Sequence, residues 1–318
     1  MNQINVYNVY STYLQHKFGE KVYKLPVNLP LTCPNRDGTL GVGGCIYCGE
    51  EGGSFENLPN SLSVKEQVLK NKEYIERKYK AKKFIAYFQN FTNTYLPLAD
   101  FKRYIEESIV EGIVGISIST RPDCVNNLYL EYLCNIKEKY NLEITLELGL
   151  QTVNYHTLKR INRGHTLAEF IDAVMRIKSY GLRTCAHLIL NLPWDNEIDV
   201  IENAKIISAL GIEEIKLHAL YIVEGTVLGR LYKEGEVFLV SKEEYMERVI
   251  TFLEYLDPQI VVQRIIGRAP EENSLFVNWN ESWWKIRDDI VSIMESRNSR
   301  QGIKYNYLNG KGIRKFLE

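Results

Sequence analysis

The chain has 318 residues, 45% of them hydrophobic and 25% charged, a globular profile that excludes disordered, collagen-like and low-complexity scaffolds. Its 39 basic and 40 acidic residues leave a formal net charge of −1, so no global field draws nucleic acid or an anionic membrane, and a polyanion would have to meet a local basic patch. No apolar run reaches signal-peptide or membrane-span length, so we expect a cytoplasmic protein whose six cysteines are buried thiols or metal ligands rather than disulfides.

After an amino-terminal segment, 1–22, short β-rich runs alternate with helical patterns at intervals of roughly 30 to 35 residues, the mark of parallel βα units. The expected strands are Lys24–Leu31, Lys83–Gln89, Ile113–Ser119, Glu143–Leu150, Arg183–Leu190 and Glu214–Ile222. Ser63 with Glu66, Thr166 with Glu169 and Ser241 with Glu244 have capping-box spacing, where the hydroxyl accepts a free backbone N–H and the carboxylate reaches back. Each hydroxyl cap is worth about 1 kcal/mol. The helix after Thr166 carries Leu167, Phe170, Ile171, Val174 and Ile177 on one stripe and stops at Gly181; Val200, Ala204 and Ile207 form a similar stripe stopping at Gly211. The fold class expected is α/β, a partial (β/α)6 TIM-like barrel over 23–240. A carboxyl-terminal extension, 241–318, holds a helix (Ser241–Leu256), a strand (Gln259–Ile265), a Trp-rich stretch and a basic tail. Functional residues of such a barrel lie on loops after the carboxyl ends of its strands.

Directly after the first strand, CPNRDGTLGVGGCIYCGEEGG places Cys33, Cys45 and Cys48 in a C-x11-C-x2-C pattern. The loop is dense in glycine, from Gly38 to Gly53, which lets backbone wrap a compact inorganic centre. Structural zinc wants a fourth ligand from a second C-x2-C or H-x3-H pair, and neither is present. An iron–sulfur cluster suits three thiols better, because one iron of a 4Fe–4S cube is then left open to a small molecule. The bland alternative is a core thiol at Cys33 and a tight turn at Cys45 and Cys48. Cys124, Cys134 and Cys185 share no such spacing; Cys134, on a helical stripe, and Cys185, in a strand, are expected to be core thiols.

This loop resembles that of the radical S-adenosylmethionine (SAM) superfamily. The blocks CPNRDG, FTNTY (Phe91–Tyr95), STRPD (Ser119–Asp123), ELGLQT (Glu147–Thr152), NRGHT (Asn162–Thr166) and HLILNLP (His187–Pro193) resemble its Elongator-like branch, in particular the bacterial YhcC/YtqA-type members, over roughly residues 10 to 265. The resemblance implies a radical SAM barrel in which Cys33, Cys45 and Cys48 ligate a 4Fe–4S cluster and the methionine end of SAM chelates the open iron. It places Tyr47 near the adenine, Gln151, Arg163 and His187 near the ribose and methionine carboxylate, and Ser119 among the cofactor contacts. Where many relatives have a GGEP-like turn for the methionine amino group, this chain has QNFTNT, so Gln89, Thr92, Asn93 or Thr94 takes that role; where they have GLP it has Asn191-Leu192-Pro193. Arg163 would hold a carboxylate by a two-pronged contact. Read alone, Gln151 and Asn93 could equally cap turns, and His187 could be a core histidine.

The resemblance further implies action on the anticodon wobble uridine of tRNA, converting 5-carboxymethylaminomethyl(-2-thio)uridine to the 5-aminomethyl form. Its partners would be a one-electron donor such as flavodoxin or ferredoxin, and functionally a SAM-dependent methyltransferase. For RNA contact the sequence offers Lys78, Lys80, Lys82 and Lys83, and a tail with Arg297, Arg300, Lys304, Lys311, Arg314 and Lys315 interleaved with Tyr305, Tyr307 and Phe316. Trp279, Trp283 and Trp284 are expected to pack the extension onto the barrel. Lys216, His218, Gln263 and Arg264 alternate with apolar neighbours and are expected to face the barrel interior. Two other readings remain open at this level: the same radical chemistry on a small molecule or protein, and a non-catalytic zinc-binding RNA module.

Overall fold

A computed structural model describes residues 5–50, 52, 57–270 and 272–316. In chain order the elements are α1 (Tyr10–Phe18), β1 (Val22–Val27), α2 (Val64–Tyr79), β2 (Lys83–Phe88), α3 (Leu98–Glu107), β3 (Ile113–Thr120), α4 (Asn127–Tyr140), β4 (Glu143–Gln151), α5 (Tyr155–Arg160) and α6 (Leu167–Ser179). There follow β5 (Arg183–Ile189), α7 (Glu197–Ala209), β6 (Glu214–His218), β7 (Ile222–Val223), α8 (Val227–Lys233), α9 (Lys242–Tyr255), β8 (Val261–Arg264), β9 (Ser274–Phe276) and α10 (Trp283–Ser296). Strands β1 to β6 and then β8 pair in parallel in chain order and curl into an open half-barrel, as expected of successive right-handed βα crossovers.

The sheet therefore has seven strands, not six: the run Gln259–Ile265, expected outside the barrel, supplies β8 at its edge. Two other strands are shorter than expected, for one physical reason. Val27 ends β1 because the buried Gln67 amide takes both the N–H and the carbonyl of Asn28. His218 ends β6 because Asn191 Oδ1 accepts the Leu220 N–H at 2.6 Å, removing the donor that the ladder would need. The chain then turns away, and Ile222–Val223 pairs antiparallel with β9 in a separate two-stranded sheet.

Local signals act as expected at most helix starts. The Ser63–Glu66 and Thr166–Glu169 boxes are complete. At Ser241 only the hydroxyl half forms, because Glu244 binds Arg248 instead, 2.8 Å away. Phe170, Val174 and Ile177 of α6 are buried against the sheet. Cys185 is buried, but Cys134 is only half-buried: Leu130, Leu133 and Ile136 take the inner face of α4, and the thiol sits beside Glu138 on its flank.

Helix α1 closes the amino-terminal end of the half-barrel. Lys17 pairs with Glu143 at the start of β4, Arg183 at the start of β5 lies over the Tyr13 ring, and Asn8 accepts the Val262 N–H of β8. A second apolar cluster at the opposite end, including Leu158, Ile161, Leu192 and Leu220, packs beneath Ile46 and Tyr47 of the thiol loop. Trp279 packs on Tyr245 and Phe276 and donates to the Val240 carbonyl, so it serves packing, while Trp284 is exposed. Among the described residues no helix is long and apolar enough to cross a membrane.

Candidate active site

The loop after β1 folds back on itself through short backbone bonds: Arg36 N–H to Cys33 O, Leu40 N–H to Pro34 O, Gly44 N–H to Asn35 O and Cys48 N–H to Cys45 O. The reversal at Gly43 and Gly44, with φ of +78° and +79°, requires glycine. Gly53 lies outside the described residues. The result is that Cys33, Cys45 and Cys48 all line one cavity of about 290 Å³ at the carboxyl end of the strands.

Each thiol has its own guanidinium. Arg121 Nη1 lies 3.9 Å from Cys33 Sγ, Arg163 Nη1 3.5 Å from Cys45 Sγ, and Arg36 Nη2 3.4 Å from Cys48 Sγ. These arginines are held from behind: Arg121 by a two-pronged pair with Asp123, Arg163 by the Gly149 carbonyl, and Arg36 by the Cys48 and Gly49 carbonyls. A side chain at Gly149 would put its Cβ 2.7 Å from Arg163 Nη2, so the strand is kept bare to admit the guanidinium. His165 also reaches the Gly149 carbonyl; burial and Arg163 push its pKa down to about 3, keeping the ring neutral. Burial pushes the Cys48 thiol up while Arg36 pulls against it.

Inside the barrel a second polar system surrounds Glu147 of β4. Its oxygens lie 2.5 Å from Lys24 Nζ, 2.5 Å from Lys216 Nζ and 2.9 Å from His187 Nε2. Burial alone would raise the Glu147 carboxyl, but Lys216, Lys24 and His187 outweigh it and hold it well below the usual carboxylate range. Burial and Lys216 lower His187 to about 4, so it is neutral near pH 7. Lys216 also donates to the Tyr87 hydroxyl at 2.9 Å, and both lysines sit over that ring. His218 is likewise held neutral by burial and by Arg264.

Tyr47, Gln89, Ser119, Gln151, Arg163, His187, His218 and Arg264 all line the cavity. Gln151 stands at a bulge in β4 with a φ of +78°, a strained conformation for a non-glycine residue that aims its amide at the cavity. Asn93 is a correction: it is off the cavity wall, its amide donating to the Phe88, Asn90 and Ser119 carbonyls, so it ties β2 to β3, and Thr94 is likewise turned to Thr120 and Cys124. Of the QNFTNT turn, Gln89, Phe91 and Thr92 face the cavity. Lys216 acts through Glu147 and Tyr87 behind the wall.

The basic runs separate. Lys83 binds the Phe18 carbonyl and Glu20 at the opposite end of β2 from the cavity, and Lys78 donates to the Tyr74 hydroxyl, so these two are engaged within the fold, while Lys80 and Lys82 are exposed. In the tail, Arg297 pairs with Glu247 and Lys304 with Glu254, whereas Lys311, Arg314 and Lys315 are exposed without a carboxylate partner among the described residues. Arg36, Arg121 and Glu147 lie inside the CPNRDG, STRPD and ELGLQT blocks, but nothing local marks their roles: Arg36 meets Cys48 only when the loop folds back, and Arg121 and Glu147 meet Cys33, Lys24 and Lys216 from distant parts of the chain.

The donor set fits an iron–sulfur cluster. Among the described residues the group that brings three His, Cys, Asp or Glu ligand atoms within 4.8 Å of one another is Glu147, Cys185 and His187, and it includes none of the loop thiols, so no fourth protein ligand of the kind a structural zinc site uses is gathered around them. The Glu147 group suits no cation, since both carboxylate oxygens already face ammonium groups. Three thiols, each within reach of a cationic N–H donor, match an anionic cluster.

Comparison with known proteins agrees. Residues 33–207 match the Radical SAM superfamily and residues 212–296 the Radical_SAM C-terminal domain. YtqA of Bacillus subtilis (strain 168) is 35% identical over 299 residues, covering 93% of this chain and 92% of that protein. YhcC of Escherichia coli (strain K12) is 33% identical, covering 87% and 88%. A tRNA uridine(34) acetyltransferase of Dehalococcoides mccartyi (strain CBDB1) is 23% identical, but the match covers 62% of this chain and 41% of that longer protein. The structure of Methanocaldococcus infernus Elp3 shares the fold, with a TM-score of 0.69 at 18% identity, over 88% of this chain and 64% of that one. Fold, thiol loop and relatives converge: the chain belongs to the radical SAM superfamily, as an enzyme that uses a 4Fe–4S cluster and SAM and is related to YtqA and YhcC.

Proposed function

We propose that this enzyme modifies the wobble uridine of tRNA in the cytoplasm, converting 5-carboxymethylaminomethyl(-2-thio)uridine to the 5-aminomethyl form. In this reading Cys33, Cys45 and Cys48 hold the cluster, while Tyr47, Gln89, Ser119, Gln151, Arg163 and His187 frame SAM. The cluster and SAM, when bound, supply a 5′-deoxyadenosyl radical. The chain's residues orient the reactants and keep the cavity dry, which suppresses side reactions. The hydrogen removed would come from the methylene between nitrogen and carboxylate. Loss of a second electron to a one-electron acceptor then leaves an imine, and water releases the two-carbon fragment as an aldehyde acid, leaving the aminomethyl group. Flavodoxin or ferredoxin would deliver the electron that starts the reaction, and a SAM-dependent methyltransferase would act on the product.

The observation that carries the tRNA part is the 203-residue match to a tRNA uridine(34) acetyltransferase, which includes no more than two thirds of this chain. The exposed Lys311, Arg314 and Lys315 support it as phosphate contacts. Nucleoside mass spectrometry of bulk tRNA from a deletion strain tests the reading. The carboxymethylaminomethyl nucleoside should accumulate, return to normal with the wild-type gene and stay high with Cys48→Ala. An unchanged nucleoside profile refutes it.

A further inference from the structure

The cavity wall carries five arginines, Arg36, Arg121, Arg163, Arg264 and Arg268, against one acid, Glu147. Glu147 is already engaged by Lys24, Lys216 and His187. Arg121 has Asp123, and Arg36 and Arg163 hold loop sulfurs and carbonyls; Arg268 has contacts of its own. Arg264, at the end of β8, is different. Its Nη2 lies 2.9 Å from Nδ1 and 3.2 Å from Nε2 of His218, a position between the two ring nitrogens that a single linear hydrogen bond does not produce. Its Nε, like that of Arg36, is buried with no hydrogen-bond partner among the described residues, but whereas Arg36 also holds two loop carbonyls, the partner of Arg264 there is the His218 ring. The chain behind it is bare: a Cβ on Gly267 would stand 3.0 Å from Cζ and 3.2 Å from both Nε and Nη1. A guanidinium is thus seated against backbone on the cavity wall, next to a histidine, with a buried N–H that the described residues leave without an acceptor.

We infer that Arg264 anchors a carboxylate of the substrate. The planar fork of arginine matches a carboxylate by two parallel N–H···O bonds, and the Nε–H is one of the two donors such a pair uses. The inference rests on the wobble-uridine reading and deepens it: the carboxymethyl group carries a carboxylate and the aminomethyl product does not. Arg264 would therefore retain substrate and release product, and, being on the last strand of the sheet while the thiols follow the first, it is a different element from those framing SAM in our reading.

The test uses the cluster-loaded protein with SAM, and two anticodon stem-loop RNAs identical except for 5-carboxymethylaminomethyluridine or 5-aminomethyluridine at the wobble position. Wild type should bind the carboxylate-bearing RNA about tenfold or more tighter, Arg264→Gln should bind both alike, and Arg264→Lys should fall between, because it keeps the charge and loses the fork. SAM affinity, measured by equilibrium dialysis, should not change in Arg264→Gln. Gly267→Ala, which crowds the guanidinium without removing it, should also weaken the discrimination and guards against a folding defect in the first variant. Discrimination retained in Arg264→Gln, or a loss of SAM binding there, overturns the anchor. Wild type binding both RNAs equally overturns the anchor alone, while binding neither overturns the wobble-uridine reading with it.

Discussion

Glu147→Gln tests the polar system inside the barrel. The substitution keeps shape but removes the one negative charge that faces Lys24 at 2.5 Å, Lys216 at 2.5 Å and His187 at 2.9 Å. Breaking a buried ion pair by neutralising one partner costs about 3–5 kcal/mol, because the other charge remains without compensation. Here the lower end applies. The Lys24 side chain keeps 18% of its exposure, so it can turn toward water, and the glutamine oxygen still accepts one bond; Lys216, at 6%, has no such escape. We expect a loss of about 3 kcal/mol by urea denaturation with an unchanged m-value, and a fall in Tm of roughly 6 °C or more. Adding Lys216→Met to Glu147→Gln removes the stranded ammonium and should return roughly 1–2 kcal/mol, a coupling that unrelated sites would not show. A single variant within about 0.5 kcal/mol of wild type, or a double variant weaker than the single by the full cost of Lys216→Met alone, would refute the argument.

Alanine at Cys33, Cys45 or Cys48 should each abolish the iron chromophore after anaerobic reconstitution and with it SAM cleavage; a cluster retained in any of them contradicts the ligand set. Gln151→Gly should raise stability by roughly 0.5–1 kcal/mol by relieving the left-handed backbone, yet weaken SAM binding, and unchanged SAM affinity would return Gln151 to a turn-capping role. His187, lowered to about 4, is neutral in the fold while the unfolded chain gains a proton below about 6.5. Stability should therefore fall as pH drops from 6.5 to 4, by on the order of 2 kcal/mol, and His187→Gln should flatten that limb of a pH series of denaturation curves. Replacing Lys311, Arg314 and Lys315 together by alanine should lower the slope of log affinity for tRNA against log salt by about 2–3, and an unaltered slope removes the tail from the RNA contact.

The alternation of strand and helix, most caps and the three-thiol loop were legible because each is a local pattern: a period of two, a hydroxyl three residues before a carboxylate, a spacing of cysteines. The strand ends were not legible, since Gln67 and Asn191 stop β1 and β6 with amides that reach them from 39 and 29 residues away. Nor was the membership of β8 in the barrel, a strand of only four residues whose place depends on its neighbour β6.

The site divides in the same way. That three sulfurs share one loop follows from residues 33 to 48 alone. Which guanidinium faces which sulfur does not, because Arg121 and Arg163 reach Cys33 and Cys45 across 88 and 118 residues. Glu147 meets Lys24 across 123 residues and Lys216 across 69. Those meetings exist only after the sheet has curled, since the curl brings the inward faces of separate strands within hydrogen-bond reach, and burial then decides which charges must be paired. Local chemistry named the cluster loop; closure of the half-barrel decided how its charges are balanced.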